Sequence, residues 1–152
     1  MRQFISFACL MLGLSSGSPA MADYAEWERL TKDALALHGR GLYAQAEVPA
    51  AQALKIAEKD LGQYHPAVAT SLNNLAQLYE LQDKALEAEP MFKRALTIRE
   101  NALGPNHPDV ATSLHNLAAL YQKQSKHAEA ESLYRRSLAI REKAFGLDHP
   151  AV

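Results

Sequence analysis

The feature that most constrains this chain is that it repeats itself every 42 residues. Gly62-Gln63-Tyr64-His65-Pro66 returns as Gly104-Pro105-Asn106-His107-Pro108 and again as Gly146-Leu147-Asp148-His149-Pro150. VATSLNNLAQLY from Val68 returns as VATSLHNLAALY from Val110, and RALTIRENALG from Arg94 returns as RSLAIREKAFG from Arg136. The copies at 67–108 and 109–150 agree at 24 of 42 positions. A first copy at 25–66 is more diverged but keeps Leu30, Ala46, Glu47, Leu54, Leu61, Gly62, His65 and Pro66 in phase. A fixed period of this length points to a row of supersecondary units that share one continuous core, rather than to a single globular core.

Within each copy the apolar spacing predicts two helices. Val68, Leu72, Leu75 and Tyr79 fall on one stripe at helical period, and Val110, Leu114, Leu117 and Tyr121 repeat it. Pro66, Pro108 and Pro150 suit a first helical turn, where a missing N–H costs nothing. Second helices carry Ala88, Phe92 and Ala95 on one side and Met91, Ile98 and Ala102 on another, which predicts burial on two sides. Glycines 62, 104 and 146 stand where those helices should stop. Pro49 and Pro90 lie early in second helices and each removes a helical hydrogen bond. The small residues Ala46, Ala76, Ala88, Ala118 and Ala130 recur where helices are expected to cross closely. No strand-like alternation occurs, so the fold class is all-α: an α-solenoid of antiparallel helix pairs.

These residues resemble the tetratricopeptide repeat. Leu75-Ala76-x-x-Tyr79 with Ala88-x-x-x-Phe92-x-x-Ala95 matches the family signature. Leu117-Ala118-x-x-Tyr121 with Ala130-x-x-x-Tyr134 matches it again, until Ser137 replaces the small alanine. The 42-residue length, against the usual 34, and the NNLA-x-LY, EAE-x-x-x-KRAL and G-x-x-HP strings are similar to the kinesin-light-chain type. The first copy departs, with Asp33 at the position of Leu75 and Leu37 at that of Tyr79, as expected of a terminal repeat with a more polar outer face.

The N-terminus reads differently. Met1-Arg2, the apolar run FISFACLMLGL and the small-residue exit Ala20-Met21-Ala22 form the pattern of a secretory signal peptide at 1–22. The run is far shorter than the roughly 20 residues that span a bilayer. The repeat domain then occupies 23–152, without the chain's single cysteine, Cys9, and without a stable membrane anchor after cleavage. A periplasmic or secreted bacterial protein is the expectation.

The resemblance implies that first helices line a concave groove gripping a peptide or partner protein. The groove candidates are Thr70, Asn73, Asn74 and Gln77 in the second copy, Thr112, His115, Asn116 and Lys123 in the third, and Lys32 in the first. Asn74 and Asn116 stand one repeat apart, and a side-chain amide offers one acceptor and two donors to a peptide backbone of any sequence. The competing reading is that they bridge neighbouring helices. Leu72, Leu75, Ala76, Tyr79, Ala88, Phe92, Ala95, Leu114, Leu117, Ala118, Tyr121, Ala130 and Tyr134 are expected to pack the repeats.

Other chemistries find little support. A net charge of −1 argues against nucleic acid. His65, His107 and His149 recur with the period before proline, which marks a structural role rather than zinc ligation. No nucleophile triad, phosphate loop or paired-carboxylate motif stands out, so neither catalysis nor a cofactor is expected. Arg94, Arg99, Arg136 and Arg141 are expected to form inter-repeat salt bridges. The expected function is a non-enzymatic interaction scaffold; an alternative is the N-terminal regulatory arm of a larger protein. His149-Pro150-Ala151-Val152 reads as the opening of a fourth repeat, which leaves the third uncapped and available for self-association.

Overall fold

A computed structural model describes residues 19–146. The residues assigned to a signal peptide lie outside that range up to residue 18, as do those that would open a fourth repeat. The described residues form six helices in chain order and no strand: α1 (Pro19–Gly39), α2 (Tyr43–Ile56), α3 (Pro66–Glu80), α4 (Ala85–Leu103), α5 (Pro108–Lys123) and α6 (His127–Phe145). A π-helical turn, Ala57–Leu61, extends α2 and was not expected from the sequence.

The period sets the punctuation. His65 and His107 take extended backbone just before α3 and α5, and each imidazole Nδ1 accepts the N–H two residues on, Ala67 and Asp109, at 3.1 Å. Histidine thus does the work usually given to Ser or Asp at an N-cap, with Pro66 and Pro108 following at the first helical position. At the other end Gly104 closes α4 with φ 88° and ψ 155°, a region open essentially to glycine alone. The tight turn inside each pair also needs a positive φ. Gly41 supplies it in the first repeat, whereas Asp83 and Ser125 adopt φ 60° in the next two.

Consecutive helices pack as the pairs α1/α2, α3/α4 and α5/α6, and α2 and α4 then pack on the first helix of the next pair. First helices also touch across repeats, α1 with α3 and α3 with α5. Second helices lie farther apart from one another and meet through long side chains, as Arg136 of α6 and Glu100 of α4 do. The first helices are therefore the inner, more closely spaced row of a curved stack.

The core runs along that stack as four adjoining clusters. Trp27, Leu30, Val68, Leu72 and Ile98 join the first two repeats, and Ala34, Ala46, Leu75 and Leu78 extend that joint. Phe92 meets Ala76, Ala88, Leu117 and Leu120, and Val110, Leu114 and Ile140 close the third pair. Ala46, Ala76, Ala88 and Ala118 are completely buried, so helix axes approach with no room for a larger side chain. All the packing candidates are buried except Tyr79, Tyr121 and Tyr134, which are half-buried. Ala102, read as part of a buried face, is exposed.

Candidate functional site

Two sets of polar side chains follow the repeat: one stitches the joints, the other stands on the inner face. At each joint a second-helix glutamate receives the turn of the next repeat. Glu47 accepts from Gln82 at 2.6 Å and Lys84 at 2.7 Å. One repeat on, Glu89 accepts from Lys126 at 3.2 Å, Gln124 at 3.4 Å and the Tyr121 hydroxyl at 3.2 Å, and from Lys93 on its own helix at 2.7 Å. Lys84 and Lys126 also lie over the rings of Tyr79 and Tyr121, at 5.2 and 4.8 Å. The Lys93 ammonium first, then Lys126 and Gln124, hold the Glu89 carboxyl down at a pKa of about 2. Sequence reading missed these clasps, although each lysine follows its glutamate by the same interval.

A buried serine on α3 and another on α5 form the second stitch. Ser71 accepts from the Trp27 indole at 2.8 Å. Ser113 accepts from the Asn73 amide at 3.1 Å and from Arg99 Nη1 at 2.9 Å, which also donates to the Asp109 carbonyl at 3.1 Å. Two expectations change here. Asn73 is buried at the α3–α5 crossing and is not a groove residue, because the rotation between repeats turns it onto the next helix. Arg99 meets neutral acceptors rather than a carboxylate. Arg94 and Arg136 do form inter-repeat ion pairs, with Glu58 at 2.5 Å and Glu100 at 2.6 Å.

The remaining groove candidates divide. Thr70 is half-buried, donates to the Pro66 carbonyl at 3.3 Å and lies 3.5 Å from Arg99 Nη2, so it belongs to the joint. Thr112 is exposed and donates to the Pro108 carbonyl at 3.4 Å. Lys123 pairs with the largely buried Glu80 at 2.8 Å, and Lys32 is exposed near Glu28 at 3.8 Å. Asn74 and Gln77 border a shallow cleft between α1 and α3 with Leu35 and His38. Asn74 and Asn116 are half-exposed, and neither side-chain amide makes a hydrogen bond among the described residues. No hydrogen bond therefore ties either side chain to a neighbouring helix among the described residues. His115 on α5 lies edge-on to Tyr134 of α6 with ring centroids 5.2 Å apart. Burial and the nearby Arg141 lower its pKa.

Among the described residues no group of three or more His, Cys, Asp or Glu could hold a metal ion. Nor is any of their helices long and apolar enough to cross a membrane.

Comparison with known proteins agrees with this geometry. The tetratricopeptide repeat family model matches residues 30–101 and 78–143, and the chain belongs to that family. Its fold is similar to a Podosopora anserina kinesin light chain with nearly identical TPR-like repeats. The TM-score is 0.74 at 27% identity, covering 82% of this chain and 59% of that one. It is equally similar to BtubC (BKLC) from P. vanneervenii, with TM-score 0.74 at 25% identity, covering 92% of this chain and 52% of that one. The chain thus spans between half and three fifths of the length of these relatives. No curated protein sequence matches it.

Proposed function

We propose that the protein is a non-enzymatic scaffold that binds an extended peptide or partner segment along the inner row of first helices. The observation that carries this reading is the pair Asn74 and Asn116: equivalent positions on α3 and α5, half-exposed, with side-chain amides uncommitted. Two such amides one repeat apart could pair with a peptide backbone whatever its sequence. Leu35 and Gln77 border the cleft beside Asn74 and add an apolar and a polar contact. Random peptides displayed on phage, selected on the protein and added to a labelled sample, should shift the amide resonances of Asn74 and Asn116. Selected peptides that shift only the outer helices α4 and α6 would refute this placement.

The leader pattern supports export, with a mature chain starting at Asp23; a retained Met1 in N-terminal sequencing of the expressed protein would refute it. A second reading, the repeat arm of a larger protein, draws on the partial coverage of its structural relatives.

A further inference from the structure

Sulfur is scarce in the repeats. Three of the chain's four methionines and its single cysteine lie within residues 1–22, which leaves Met91 as the one sulfur in residues 23–152. Met91 stands on α4 and is half-buried. It packs where three of the four core clusters meet: that of Trp27 and Ile98, that of Ala34 and Leu78, and that of Phe92. Leu54 and Tyr79 each reach two of these. One repeat on, the same position is Leu133, which packs against the Phe92 and Val110 clusters. A hydrocarbon fills that place in the third pair, so what sets Met91 apart is an oxidisable thioether at a junction of the core.

We propose that Met91 is a reversible oxidation site, and that its sulfoxide loosens the joint between the first two repeats together with the cleft between α1 and α3. The oxidant is a peroxide. A sulfur lone pair attacks one oxygen of hydrogen peroxide; the S–O bond forms and the O–O bond breaks. Sulfur gives up two electrons, and the proton on the transferred oxygen passes to the departing hydroxide, which leaves as water. Partial exposure admits the oxidant, and burial makes the product costly. A sulfoxide is a polar acceptor. The buried members of the three clusters carry one side-chain N–H or O–H, the Trp27 indole N–H, and Ser71 already accepts it at 2.8 Å. The new oxygen therefore stays unpartnered, or it carries the side chain out to water and leaves the junction unfilled.

Both outcomes act on one place. Ala34 and Leu78 belong to the second of these clusters and also line the cleft beside Leu35, Asn74 and Gln77. The wall of that cleft thus rests on the seat of Met91. Trp27, the chain's single tryptophan, lies buried in the first cluster and reports on the joint.

The experiment exposes the folded parent chain and Met91→Leu to hydrogen peroxide. Peptide mass mapping locates the added oxygen, and thermal melts and Trp27 fluorescence read the joint. Met91 of the parent should gain one oxygen. The melting temperature should then fall by about 5 °C, with Trp27 emission moved to the red. Methionine sulfoxide reductases of both epimer specificities should restore both readings. Met91→Leu should keep its melt and its emission under the same treatment. Met91→Gln, which puts a polar group in the seat without oxidant, should match the oxidised parent. The repair arm needs no variant, so the proposal stays testable even if Met91→Leu folds poorly. Met91 left unmodified in the folded chain overturns the proposal. So does a sulfoxide that leaves melt and emission unchanged, or a loss that Met91→Leu shares or the reductases do not reverse. No readout uses a bound peptide, so the inner-face reading stands or falls separately.

Discussion

The Arg99 guanidinium donates to the Ser113 hydroxyl at 2.9 Å, so a cation from one repeat is held by a neutral buried residue of the next. Arg99 is only 8% exposed, and burial lowers its pKa, with Asp109 partly opposing that shift. A buried cation with one acceptor removed is costly. Ser113→Ala is expected to destabilise the chain by about 1.5–3 kcal/mol in urea unfolding. Adding Arg99→Met should recover part of that loss, since the uncompensated charge goes with it. Strictly additive losses would show that the two residues do not support each other.

Acid should loosen the second joint through Glu89. Its folded pKa of about 2 lies below the ordinary 4.5, so its contribution is complete above about pH 4.5. That contribution is lost as pH falls from there toward 2. Thermal melts across that interval should fall steeply for the parent chain and less steeply for Glu89→Gln. Parallel curves would mean that the carboxylate is not a clasp.

His65 predicts a second pH effect at milder acidity. Its Nδ1 caps α3 only while unprotonated, and burial lowers its pKa below 6.5. The unfolded chain therefore takes up the proton first, and stability drops as pH falls through 6.5. His65→Asn keeps an acceptor at the cap and cannot titrate there. It should match the parent near pH 8 and exceed it near pH 5.5. Equal slopes in both proteins would contradict the cap.

The turn at Ser125 holds a non-glycine residue at φ 60°, where the first repeat has Gly41 at 73°. Ser125→Gly should relieve that conformation and raise stability by about 0.5–1 kcal/mol, net of the extra chain entropy of glycine. A lowered melting temperature would show that the serine side chain has a use of its own.

Most of the fold was legible because its signals are local and recur. The stripe through Leu72, Leu75 and Tyr79, the His-Pro starts and the glycine stops each lie within a few residues, and the period repeats them. What escaped depends on how one repeat is rotated against the next. Asn73 and Asn74 are neighbours in sequence, yet one is buried against Ser113 and the other stands half-exposed on the inner face. Only the inter-repeat angle decides which. Arg99 was expected to meet a carboxylate for the same reason: its partner sits on another repeat. The π-helical turn at Ala57–Leu61 lies in the most diverged copy, and the equivalent residues 99–103 of the next copy remain α-helical. The Glu47–Lys84 and Glu89–Lys126 clasps were within reach, since both pairs share one spacing.

The inner-face reading rests on Asn74 and Asn116, and the direct measurement is calorimetric affinity for one selected peptide. Asn74→Ala with Asn116→Ala removes two backbone hydrogen bonds of about 1 kcal/mol each, a loss of roughly thirtyfold. Both side chains are half-exposed, so the melting temperature should stay close to that of the parent. A thirtyfold weaker Kd with an unchanged melt is the predicted result. An unchanged Kd in the double variant would contradict the account.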